Sequence, residues 1–285
     1  MKRLLLATVC LLFLSPYLHS QLLTWTPDFA KDNDNIVITM DATKGNQGLL
    51  NYTPATDVYV HIGVITSSST NSSDWRYSKF TWATTPSLAQ ATYMGSNKWQ
   101  YTVTNIRAFF NAPSGVPAGE TIQKIAILFR NGAGSVVQRN ADASDMYIPV
   151  YDNGLAVRFS VPPFEPRYIP IPETINKVVG DNINVTGIAN QTSDMKVYLN
   201  GTVIQTAIGV STLSANPALT VPGNTEIVVE AMAATVTKKD TLRFFVTPGV
   251  TVAPLPAGAR DGINYAANNT EATLVLYAPG KIGYQ

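Results

Sequence analysis

The sequence is poor in the residues from which catalytic and metal centres are made. In 285 residues it has one cysteine, Cys10, and two histidines, His19 and His61. Cys10 and His19 both fall in the N-terminal leader described below, so the exported chain is expected to keep one imidazole and no thiol. That excludes a disulfide, a thiolate nucleophile, a cysteine-ligated zinc and a multi-histidine metal site. Charge is scarce as well: 14% of residues are charged, and 20 Lys and Arg stand against 19 Asp and Glu, a net charge of +1. No field of one sign is available to neutralise phosphates, so neither nucleic acid nor an acidic membrane is an expected partner. Long apolar runs are missing too. The longest covers about 11 residues, against the roughly 20 that a spanning helix needs, so no membrane span is expected. No catalytic residue, metal ligand or cofactor is assigned, and the oligomeric state is not legible.

What is present is the vocabulary of strands and turns. Gly (19) and Pro (18) accompany a heavy content of Thr, Asn and Val, whereas helices would want more Glu, Lys, Leu and Arg. With 45% hydrophobic residues, the length suits roughly two domains. The chain opens on Met1-Lys2-Arg3, continues through the apolar run LLLATVCLLFL at 4–14, and is broken by SPYLHS at 15–20. This is the pattern of a secretory signal peptide over residues 1–20. Nothing around Cys10 resembles a lipidation box, so release is expected, with a secreted, periplasmic or cell-surface location.

Alternation then predicts an all-β chain of tandem β-sandwich domains. Residues 35–41 alternate Ile36, Ile38 and Met40 against Val37 and Thr39. Residues 57–66 put Val58, Val60, Ile62 and Val64 on one face and Tyr59, His61, Gly63 and Ile65 on the other. The run WRYSKFTW at 75–82, residues 98–106 and the near-continuous apolar segment 122–130 extend the series, and 147–151 closes it. This defines a first, carbohydrate-binding-module-like sandwich over 21–153. Strands expected at 155–161, 183–185, 195–199, 218–221, 226–231 and 242–246, with a hairpin signal at Asn200-Gly201, define an immunoglobulin-like sandwich over 154–248. Without a Cys-Trp-Cys pattern, that likeness is one of architecture only. Prolines at 162, 163, 166, 170 and 172 confine that stretch to an edge or connector. A Pro/Gly linker and one clear strand at 272–278 occupy 249–285, which reads as an incomplete third β module.

The order of certain segments resembles a known family. The runs DVYVHIGVIT at 57–66, SDWRY at 73–77, GVPAGETI at 115–122 and ILFRNG at 127–132 resemble the N-terminal accessory region of secreted, Bacteroidetes-type alpha-amylase-like enzymes of glycoside hydrolase family 13. The run MKVYLNGT at 195–202 is similar to the Ig-like module that follows in those proteins. The runs LPAG at 255–258, GINY at 262–265 and TLVLYAPGK at 273–281 are similar to the opening of their next module, of carbohydrate-binding module family 48. In that family a catalytic (β/α)8 barrel comes later. None of its acid and base motifs can be placed on this sequence, so the resemblance implies a non-catalytic region, truncated before the barrel, that targets or spaces a starch-active enzyme. The partner it implies is an α-glucan such as starch, glycogen or pullulan, weakly bound. The alternative is a structural or protein-interaction sandwich with no sugar site, and an enzyme in its own right ranks last.

Sugar-binding sandwiches stack aromatic faces on the apolar edges of pyranose rings. The clustered candidates are Trp75, Tyr77, Trp82, Trp99 and Tyr101. Trp99 and Tyr101 alternate with polar residues and are expected in the core. Trp75, Tyr77 and Trp82, beyond the polar loop SSSTNSS at 67–73, are the candidate carbohydrate contacts. His61 reads as a packed, hydrogen-bonded histidine. Asp32-Asn33-Asp34-Asn35 lacks the glycine and distal glutamate of an EF-hand loop, and Gly132-Ala133-Gly134 lacks the following helix of a phosphate loop.

Overall fold

The computed structural model describes residues 21–249 and, beyond them, the strands Gly262–Tyr265 and Ala272–Val275. The leader expected over 1–20, and most of the stretch expected to hold the linker and incomplete module, lie outside the described residues. By its contacts the chain divides after Thr247 into a large unit and a small one. Among the described residues of the large unit the only helical pieces are a 3-10 turn at Ser87–Ala89 and one α-turn at Ile106–Phe109. The fold is all-β, and two separate apolar cores fall on either side of residue 153.

The first core lies between two antiparallel sheets. One has the order β1 (Leu23–Thr26), β2 (Ile36–Asp41), β5 (Lys98–Val103), β4 (Thr92–Gly95). In the other, β6 (Ile122–Asn131) pairs with β3 (Val58–Thr66) on one side and with β7 (Val137–Gln138) and β8 (Met146–Pro149) on the other. The period of two decides which side chains meet. Ile38 stands opposite Tyr101 and Met40 opposite Trp99, while Ile62 faces Ile127 and Val60 faces Phe129. All eight are buried. Trp99 and Tyr101 carry polar atoms inward and satisfy them: the indole donates to Ala55 O at 2.9 Å and the hydroxyl to Leu88 O at 2.9 Å.

The second sandwich is a sheet folded about its own core. β13 (Val185–Leu199) pairs over residues 186–189 with β9 (Val157–Val161) and over 194–199 with β15 (Gly223–Ala233), and register shifts separate the two stretches. One long strand therefore serves both layers around Phe159, Met195, Val197, Ile227, Val229 and Leu242. β14 (Thr202–Ala215) runs beside β13, β16 (Val236–Thr247) beside β15, and the short β12 (Lys177–Val178) lies parallel to the end of β16. The β13–β14 turn is the Asn200-Gly201 signal realised, with φ of 47° and 82°, the left-handed pair of a type I′ hairpin.

Three expectations need correction. Residues 75–82 form no strand, and only Arg76 bridges to Val64. Residues 218–221 give one bridge, Asn182 to Ala218, because Pro217 and Pro222 remove ladder donors on either side. In the small unit the segment 272–278 does not stand alone: β17 (Gly262–Tyr265) pairs antiparallel with β18 (Ala272–Val275).

The proline-rich connector forms a strap. Its two-stranded ribbon, β10 (Phe164–Glu165) with β11 (Ile171–Pro172), lies against the first sandwich. Pro166 O accepts from Tyr147 N at 2.7 Å, Tyr168 packs edge-on to Tyr147 at 5.4 Å, and Arg167 pairs with Asp142. Arg158 on β9 reaches across to Asp28 at 2.5 Å and sits 5.5 Å from the Trp25 ring and 5.7 Å from that of Phe29.

Candidate functional site

With even-numbered residues of β3 committed to the core, its odd residues Tyr59, His61, Gly63 and Ile65 must face outward. Beside them stand Lys124, Ala126, Leu128 and Arg130 of β6, and Tyr147 of β8 stands opposite Ala126. This outer face is not bare. The loop after β3 folds back along it, held by Arg76 N to Val64 O at 2.8 Å and Lys79 N to Ile62 O at 2.9 Å. Gly63 makes room for that return, since a Cβ there would meet Ser78 Oγ at 3.1 Å and Arg76 O at 3.2 Å.

The loop delivers two indoles to one imidazole. Trp75 stacks on His61 with centroids 5.6 Å apart and planes at 21°, and Trp82 meets His61 edge-on at 5.1 Å. Trp75 is also edge-on to Tyr147 at 6.3 Å, and its indole donates to the Tyr147 hydroxyl at 3.4 Å, which itself donates to Ser72 O at 2.8 Å. Trp82 remains 37% exposed. Behind it the guanidinium of Arg130 lies 5.0 Å from the ring and donates to Asn131 O, Gly132 O and Thr84 O, so both the indole and its loop are held.

Electrostatically the face favours an uncharged imidazole. Burial, and then the neighbouring Arg130, hold the His61 pKa below its ordinary 6.5, while Asp145 pulls the other way. His61 Nδ1 and Arg130 Nε are buried without a hydrogen-bond partner. Burial raises the carboxyl of Asp145, whose Oδ1 lies 3.1 Å from Arg139. Asp145 and Arg139 open into a shallow groove of about 490 Å³ that Ser72, Asp142, Tyr147 and Tyr168 also line. A second hollow, of about 340 Å³, is lined by Trp25, Tyr151, Phe159, Phe164 and Asp240 where the two sandwiches meet.

The three sequence candidates thus part company. Trp75 and Trp82 come together around His61. Tyr77, at φ 52°, turns to the main core, and its hydroxyl donates to Glu120 Oε2 at 2.5 Å. That hydrogen bond comes first among the influences holding the Glu120 carboxyl below its ordinary range, with Arg76 at 3.0 Å adding to it. His61 is packed as expected, with a backbone hydrogen bond to Phe80 among the influences on its pKa, while its Nδ1 has no partner. Arg130 and Tyr147 were not singled out in the sequence. The signal for Arg130 was available, a charged residue on the outward phase of an otherwise apolar strand. Among the described residues no group of three His, Cys, Asp or Glu could hold a metal ion.

No family model matches the chain, and no curated protein matches it. Two similar solved structures are the fibronectin(III)-like modules of Clostridium thermocellum CbhA and the central fibronectin-III array of RIM-binding protein. The first is 18% identical, covers 33% of this chain and 100% of that one, and has a TM-score of 0.26. The second is 12% identical, covers 86% of this chain and 71% of that one, and has a TM-score of 0.24. Likenesses of this size transfer no function. Among the described residues no helix is long and apolar enough to cross a membrane.

Proposed function

We propose that this chain is a secreted, non-catalytic accessory region of an alpha-amylase-like protein of the glycoside hydrolase family 13 kind, and that its first sandwich makes a weak contact with α-glucans. The observation that carries the reading is the exposed Trp82, held by Arg130 beside His61 and Trp75 on the outer face of a rigid sheet. A pyranose ring presents apolar C–H groups to an indole face and hydroxyls at its rim. A shallow platform buries little area, so the dissociation constant belongs on the order of 0.1 to 1 mM. The contact set is Trp82 and Trp75 with His61. Tyr77, committed to Glu120, is left out of it.

A structural reading is favoured by a different observation. Trp75 packs on the small cluster of Ile65, Ala126 and Tyr147 and spends its N–H on the Tyr147 hydroxyl, which is how an indole behaves when it covers a sheet. The two readings separate in native gels containing amylose, glycogen or pullulan. Under the binding reading the wild-type chain is retarded by at least one glucan, and Trp82→Ala abolishes the retardation without changing the melting temperature by more than a few degrees. Wild-type mobility that is indifferent to all three glucans would leave only the structural role.

A further inference from the structure

A ligand site is concave, lined mostly by apolar and aromatic groups with a few polar atoms among them, and is favoured at the seam between domains. The hollow of about 340 Å³ where the two sandwiches meet has that character. Its walls come from both of them: Trp25 of β1 and Tyr151 beyond β8 on one side, Phe159 of β9 and Asp240 of β16 on the other, with Phe164 of the strap between. The volume stands at the small end of the roughly 300 to 1,000 Å³ of ligand sites, which suits one ring and not a chain.

The aromatic walls are held in place. Trp25 donates its indole N–H to Asp28 O at 3.2 Å, Tyr151 packs edge-on to Phe29 at 5.0 Å, and Phe159 is rooted in the second core. The polar groups are held as well, but not used up. Asp240 accepts from Phe159 N at 2.8 Å with one carboxyl oxygen and from Thr241 N at 2.8 Å with the other, so each oxygen keeps a second lone pair. The Tyr151 hydroxyl makes no hydrogen bond among the described residues, and the charges that act on it are those of Arg158, Asp240 and Asp28. Burial raises both this phenol and the Asp240 carboxyl, so it disfavours a charge on either.

These groups select the occupant. An anion would meet the carboxyls of Asp240 and Glu165. A cation would meet Arg158, which already stands 5.5 Å from the Trp25 ring and pairs with Asp28. A wholly apolar molecule would cover Asp240 and the Tyr151 hydroxyl without answering them, and burying polar groups in that way is costly. A neutral ring with apolar faces and hydroxyls at its edge meets all three demands. We infer that the hollow binds one pyranose ring, as a free monosaccharide or as the end residue of an oligosaccharide, with its C–H face on Trp25 and its hydroxyls on Asp240 and Tyr151. A ligand of so few atoms binds weakly, with a dissociation constant on the order of 1 mM. The site is separate from the outer face that carries Trp82.

The four tryptophans give four indole N–H resonances in a nitrogen-15 correlation spectrum, and Trp25→Phe identifies the one that belongs to the hollow. Titrations with D-glucose and with maltotriose, each to about 20 mM, cover the expected affinity. The expected result is a saturable shift of the Trp25 signal, with glucose alone where the site takes a free sugar, and with maltotriose as well or in its place where it takes a chain end. β-Cyclodextrin, which has no end residue, should leave Trp25 unmoved. Tyr151→Phe keeps the ring and should weaken sugar binding about fivefold, as the loss of one hydrogen bond does, at an unchanged melting temperature. Trp82→Ala should leave the Trp25 titration as it is, so failure of the outer-face reading and failure of this one are told apart. A Trp25 signal indifferent to both sugars overturns the inference. So does a shift that choline chloride produces equally, one that β-cyclodextrin produces, or one that Tyr151→Phe leaves undiminished.

Discussion

At the scale of single residues, burial parts Trp99 from Trp82 in the way that the alternation of Trp99 with polar residues leads one to expect. Trp99 is fully buried and hydrogen-bonded, while Trp82 is 37% exposed. Trp99→Ala should cost about 3 to 5 kcal/mol as a large-to-small truncation of a packed core. Trp82→Ala, which loses the contacts with Arg130 and His61 at a part-exposed position, should cost less, about 1 to 2 kcal/mol. Urea denaturation of the two variants beside wild type measures both, and equal costs would refute the assignment of Trp82 to the surface. His61 adds a pH signature. Because burial and Arg130 keep its folded pKa below 6.5, the unfolded chain takes up the proton first as the solution is acidified. Its contribution to stability is therefore intact above pH 6.5 and is lost as pH falls through the lower folded value. Asp145, raised by burial, acts with the opposite sign. His61→Gln should flatten the stability profile just below pH 6.5, which denaturant midpoints at a series of pH values would reveal.

Elements were legible where one face is buried and illegible where none is. β2, β3, β5 and β6 bury alternate residues against a core, and each appears in the sequence as alternation or as a continuous apolar run. β14 buries only Leu213 of its 14 residues, so no period is written into it, although the Asn200-Gly201 turn before it was plain. That turn is sensitive to chemistry. Gly201, at φ 82°, has open space where a Cβ would stand and is constrained only by its backbone. Gly201→Val should thus cost about 1 to 2 kcal/mol through left-handed strain alone, a loss that thermal melts would register while the folded circular dichroism stays unchanged. Gly187 is the converse case, constrained by packing: a Cβ there would lie 2.2 Å from Val229 Cγ2. Gly187→Ala should open the second core and destabilise by more than Gly201→Val, and a smaller loss would mean that β13 and β15 can move apart at no cost.

At the scale of the molecule, the two cores are joined by the strap and by Arg158, whose side chain meets Asp28, Trp25 and Phe29 of the first sandwich. Exposed ion pairs contribute little by themselves, and Asp28 is largely exposed. The aromatic contacts of Tyr168 with Tyr147 and Lys124 therefore matter as much to the coupling. Scanning calorimetry of Arg158→Ala combined with Tyr168→Ala should resolve two transitions where wild type gives one. A single unchanged transition would mean that the sandwiches are coupled by other contacts.

Composition and a period of two that burial writes into the chain were enough for the all-β class, the inward faces of the main strands and the lack of a thiol in residues 21–285. The sequence also singled out Trp75, Tyr77 and Trp82 as one set. That Trp75 and Trp82 meet around His61 while Tyr77 turns away to Glu120, and that Arg130 stands behind Trp82, emerges only in the folded chain. The physical reason is that the side a loop residue takes depends on backbone dihedrals and on which strand the loop folds back along. No local pattern encodes either, and both are fixed only when β3, β6 and β8 come together.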